Sequence, residues 1–110
     1  MLPLQNRILK NPEYKRIYKA GNKFYSKYFT VIIANSPQES DIRFGIVASK
    51  KVGNAVVRNK LKRQMRELLK QYLTDEFQNK EIVIILKTEA AVASFQELQT
   101  EITNILNKEL

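Results

Sequence analysis

Residues 50–70 read KKVGNAVVRNKLKRQMRELLK: eight cations and one carboxylate, Glu67, in a single run. Guanidinium and ammonium groups at this density bind phosphate oxygens well, Arg through a planar fork and Lys as a point charge. With 100° per residue, Arg58, Asn59, Lys62, Arg63, Arg66 and Lys70 fall within an arc of about 140°. Val57, Leu61, Met65, Leu68 and Tyr72 fall on the opposite arc, with Leu69 and Leu73 intruding at the edge of the basic one. The pairs Arg58/Lys62, Lys62/Arg66 and Arg66/Lys70 repel one another, and only Glu67, four residues after Arg63, offers local relief. Such a helix calls for an anion from outside. A merely solvated charged face accounts for many charge runs, but poorly for this density with one acid. Upstream, Lys50 and Lys51 precede Gly53-Asn54, where a small residue and a helix start can bring backbone N–H groups to a phosphate, a plain turn being an equal reading of Gly53.

A second group lies in YKRIYKAGNKFYSKYF (14–29), which holds six of the ten aromatic residues among Lys and Arg. Rings that stack on bases, beside cations that follow a backbone, bind single strands. Core packing is the competing role, favoured for Phe24 and Phe29 and evenly balanced for Tyr14 and Tyr18, which share a helix face.

Other chemistries fit badly. The chain has no His and no Cys, which removes the commonest general base, thiolate metal sites and disulfides. Its only Asp residues are Asp41 and Asp75, and neither a P-loop nor a carboxylate cluster for Mg2+ is readable near the basic stretch. Any phosphodiester cleavage would rest on a partner. No signal peptide or membrane span is legible, so a cytoplasmic protein is expected. Charge is segregated: +6 over residues 1–27, −1 over 28–49, +7 over 50–70 and −4 over 71–110. A net charge of +8 in that form points to a polyanionic partner.

These residues need a scaffold. Asn11 as cap, Pro12 at the first helical position and Gly21 as stop predict a helix over 12–20. Residues 24–34 read as a strand, SPQESD as a turn, and 42–50 as a second strand forming a hairpin with the first. The basic helix runs from 54 to about 73, and 81–87 is a short apolar strand interior to a sheet. Ser94 and Glu97 form a capping-box pattern ahead of a last amphipathic helix carrying Phe95, Leu98, Ile102, Ile105 and Leu106. The expectation is one domain over 1–110, α+β, in the order αββαβα: a two-layer α/β sandwich with a mostly antiparallel sheet of three to four strands.

SKKVGNAVVRNKLKRQMRE (49–67) resembles the signature of the bacterial ribonuclease P protein subunit. RILKNPEYKRIYKAG resembles that family's opening helix, and EIVIILK with the final helix fits its remaining elements. The resemblance implies a non-catalytic RNA-binding subunit of a tRNA-processing endoribonuclease, with the precursor-tRNA 5′ leader cleaved by the RNA subunit. Mg2+ would be bound mainly by that RNA, and none by the protein alone. The partners implied are the catalytic RNA and precursor tRNA, with no membrane and no DNA. Lys50, Lys51, Arg58, Asn59, Lys60, Lys62, Arg63 and Arg66 would meet the RNA subunit. Tyr14, Tyr18, Ser49, Lys51 and Lys87 would hold the leader in a cleft between the first helix and the sheet. The family's βαβ crossover around the basic helix is left-handed, against the general rule. Lys60 stands where a second Arg is frequent, Tyr14 and Tyr18 where Phe is frequent, and Ile32, where some members carry an aromatic, is left out of the site.

Three other readings compete. A structural RNA-binding protein such as a ribosomal component shares the composition. A DNA-binding module would have little beyond Asn59 and Gln64 to read bases. A membrane-surface helix would lack bulky interfacial aromatics apart from Tyr72.

Overall fold

A computed structural model describes residues 3–110. Helix α1 (Asn11–Ala20) begins one residue earlier than expected. Lys10 is its cap, without a side-chain bond, and Gly21 closes it with an N–H donated to the Ile17 carbonyl.

The strand expected over 24–34 is two strands, β1 (Asn22–Tyr25) and β2 (Phe29–Asn35), paired antiparallel. Ser26 makes the break. Its hydroxyl accepts from the N–H groups of both Tyr28 and Phe29, 3.2 Å each, which folds three residues into a turn.

The expected hairpin between β2 and β3 (Arg43–Val47) does not form. The loop between them is tied instead to Asn79, whose backbone sits in the left-handed region at φ 66°. Asn79 accepts from the Ser36 and Ser40 N–H groups and donates its own to the Ser40 carbonyl. This anchorage lets β4 (Lys80–Leu86) enter between the two strands, giving the order β1-β2-β4-β3. β4 runs antiparallel to β2 and parallel to β3, so its continuous apolar run takes the interior lane as expected.

β3 and β4 are joined through α2 (Ala55–Leu69), the basic helix and the middle of the βαβ unit. It ends at Leu69 and passes into a 3-10 turn at 70–72, short of the expected limit. Helix α3 (Phe95–Glu109) starts at the Ser94/Glu97 capping box.

Alternation along the strands sorts the core into two clusters. Phe29, Val31, Ile33, Phe44, Ile82, Ile84 and Leu86 pack against Leu61, Met65, Leu68 and Leu69 of α2 and Leu98, Ile102 and Leu106 of α3. On the other face, Ile32, Ala34 and Val83 meet Ile17 of α1. The α/β sandwich is present, and α1 adds a smaller layer across its second face.

Candidate nucleic-acid interface

With Ile17 pointing at the sheet, helical spacing puts Glu13 and Arg16 on one flank of α1 and Tyr14 and Tyr18 on the other. Strand register arranges the floor beneath in rows. The middle row, Ile32, Val83 and Gly45, lies under the helix. Glycine is needed there, because a Cβ on residue 45 would stand 2.5 Å from the Tyr14 hydroxyl. On the Glu13/Arg16 flank the row is Ala34, Glu81 and Arg43. On the tyrosine flank it is Tyr25, Thr30, Ile85 and Val47, across all four strands. Among the described residues no helix covers this last row: Thr30, Ile85 and Val47 are half-buried and Tyr25 is 70% exposed. Because β3 and β4 are parallel, Ser49 and Lys87 leave the sheet together at its end, two residues past Val47 and Ile85.

The rings of Tyr14 and Tyr18 lie 6.2 Å apart, tilted by 57°, along the margin of this open floor. The Tyr14 hydroxyl donates to the Ile8 carbonyl, 3.0 Å. Burial, and then Tyr18 and Glu13, raise the Tyr14 hydroxyl above the ordinary phenol range, and burial does the same for Tyr18. Both rings are therefore neutral at physiological pH and do not repel phosphate. Lys87 is tethered: its ammonium donates to the Ser26 carbonyl at 2.6 Å and lies 5.9 Å from the centre of the Tyr25 ring.

On α2, Asn54 is the cap, its side-chain oxygen accepting from the Val57 N–H at 3.0 Å. Gly53 serves Val57, whose Cγ1 would be 2.8 Å from a Cβ there. Leu69 is fully buried, so it belongs to the core face and does not interrupt the basic one. Arg58, Lys62 and Arg66 line the border of that face with half-buried stems, while Asn59, Lys60 and Arg63 stand in solvent. Lys50 and Lys51 are exposed in the turn before the helix, where the Val52 N–H donates to the Ser49 carbonyl.

Among the described residues, none of these seven cations meets a carboxylate. Glu67 pairs with Lys70 at 2.9 Å, not with Arg63, and that contact holds its carboxyl below the usual range. Arg66 reaches a hollow it shares with Arg7, Tyr14 and Ile46, so the cationic helix and the aromatic margin adjoin.

Sequence reasoning missed Tyr25, Thr30, Val47 and Ile85 as parts of one surface. Ile85 sits in a continuous apolar run, which gives it no distinguishing signal. The others need the hairpin break at Ser26 and the insertion of β4.

A family model for ribonuclease P matches residues 2–109. The ribonuclease P protein component of a Pseudanabaena species is 36% identical over 109 residues, covering 98% of this chain and 94% of that protein. The Staphylococcus aureus component is 36% identical over 100 residues, covering 91% and 86%. A solved structure of the Staphylococcus aureus RNase P protein superposes with a TM-score of 0.84 at 35% identity, over 93% of each chain. The RNase P protein from Thermotoga maritima gives 0.79 at 25% identity, over 94% of this chain and 97% of that one. Likeness on this scale extends well beyond the basic helix, and the chain belongs to the ribonuclease P protein family.

Proposed function

We propose that this chain binds the RNA subunit of ribonuclease P through α2 and the turn before it, and grips the single-stranded 5′ leader of precursor tRNA on the open row of the sheet. One observation carries the reading: an uncovered sheet floor edged by two neutral tyrosines adjoins a helix whose cations, among the described residues, have no carboxylate partners.

The two surfaces do different work. Lys50, Lys51, Arg58, Asn59, Lys60, Lys62, Arg63 and Arg66 present a charged face suited to the phosphates of a folded RNA. Tyr14 and Tyr18 offer ring faces to unpaired bases, and Ser49, Lys51 and Lys87 supply polar and cationic groups at the exit of the floor. Stacking is tolerant of sequence because every base has a π-face, which suits leaders of varied composition.

The cleavage chemistry is assigned to the RNA. Glu13 and Glu81, on the far flank of α1, are committed to Arg16 and Arg43. No group of three or more acidic side chains that could hold a metal ion is found among the described residues. No helix among the described residues is long and apolar enough to cross a membrane. The proposed setting is the cytoplasm.

The test is binding and cleavage of precursor and mature tRNA by the partner RNA at low Mg2+, with and without this protein. A gain for precursor tRNA alone is expected. An equal gain for both substrates would defeat the leader-binding role.

A further inference from the structure

Glu81 is the only charged side chain that is fully buried among the described residues, and neither proposed RNA surface uses it. It lies on β4 beneath the flank of α1 opposite the tyrosines. Arg16 Nη2 donates to its Oε2 at 2.9 Å and lies 2.8 Å from Oε1. Arg43, its neighbour on β3, donates to Oε2 from one nitrogen and to Glu13 Oε1 from another, the latter at 3.3 Å. Two cations and two carboxylates thus join three elements into a neutral knot.

A buried ion pair is a poor source of stability, since apolar residues of the same volume often serve as well. What it supplies is direction. On the tyrosine flank α1 is held by apolar packing around Ile17, which resists rolling of the helix only weakly, and by the Tyr14 hydroxyl bond to the Ile8 carbonyl. On the other flank the directional restraint is the Arg16–Glu81 bond. A roll of about 20° would carry a side chain on the far flank by about 2 Å, given a helix radius of about 5–6 Å with side chains. The side chains on that flank are Tyr14 and Tyr18.

We propose that Glu81, through Arg16 and Arg43, is a positioning residue that sets the roll of α1 and so the height of the Tyr14 and Tyr18 rings above the open floor. The proposal rests on the leader-binding reading above. α2 packs on the opposite face of the sheet, and apart from Arg66, which shares a hollow with Tyr14, its cations stand away from the knot.

The experiment uses the protein assembled with its RNA subunit and compares affinity for precursor and mature tRNA. The variants are Glu81→Gln, the double variant Tyr14→Ala/Tyr18→Ala, and the triple combination, each checked for folding by circular dichroism. Glu81→Gln is expected to lower the precursor-to-mature preference by about fivefold, a misplaced stack being weaker than a present one. Binding of mature tRNA should not change, and the triple variant should be no worse than the tyrosine double. An unchanged preference in folded Glu81→Gln, or a further loss when it is added to the tyrosine double, would overturn the positioning role. If the tyrosine double itself kept the preference, the leader-binding reading would fall, and this inference with it. Should Glu81→Gln not fold, Arg16→Gln, at the partly exposed end of the bond, carries the same expectations.

Discussion

Cations on α2 differ in how far they stand from the core, and their substitutions should differ accordingly. Arg63 is exposed, so Arg63→Ala should lower the salt slope of RNA-subunit affinity by about one unit and leave folding alone. Arg58 is half-buried, and its Nε is shielded from water without a partner. Arg58→Ala should shift the salt slope by a similar amount and also change the melting temperature, because its stem covers apolar surface. Affinity titrations at several salt concentrations, beside thermal melts, separate the two. Tyr14→Ala and Tyr18→Ala should each weaken precursor-tRNA binding by about 1–3 kcal/mol while leaving mature tRNA unaffected.

At the scale of elements, the placing of α1 depends on what the strands omit. A methyl at Gly45 would collide with the Tyr14 ring, and one at Gly21 would stand 2.5 Å from Ile32 Cγ2. Gly45→Ala should therefore cost about 1–3 kcal/mol, read by denaturant melts, and should lower the preference for precursor tRNA as Tyr14 is pushed off its seat. Asn54→Ala should cost about 1 kcal/mol through loss of the α2 cap. The cap at Asn54, the capping box at Ser94 and the two-sided pattern of α2 could all be read from the sequence, because each is decided within one or two helical turns. Tyr14 and Tyr18 were legible as a shared face for the same reason. The row of Tyr25, Thr30, Ile85 and Val47 was not, because it is assembled by pairings between distant strands. The Glu81 knot was equally hidden: nothing local marks position 81 as the meeting place of Arg16 and Arg43. The strand break was written in Ser26, whose hydroxyl competes for backbone N–H groups, but only the structure shows it accepting from two of them.

For the whole molecule, acid should loosen the join between the hairpin and α3. The Tyr28 hydroxyl donates to Glu97, which also caps α3 by accepting from the Ser94 N–H. These contacts, the Tyr28 hydroxyl foremost, hold the Glu97 carboxyl below its ordinary value. A carboxyl depressed in the folded state adds stability at pH above its unfolded value of about 4.3, and that addition is lost as pH falls through the folded value. The melting-temperature gap between this chain and Glu97→Ala should thus be full near neutrality and close as pH drops below about 4. A gap independent of pH would show that the carboxylate charge has no part in it. The insertion of β4 has a further consequence, for the order of events during synthesis. β4 is translated after both of its neighbours, yet it fills the lane between them. Until residue 86 has left the ribosome, β2 and β3 have no shared partner, and α1 has no carboxylate to grip. A nascent copy cannot yet offer its ring-lined floor, so any strand that this floor can take has to wait until β4 is in place.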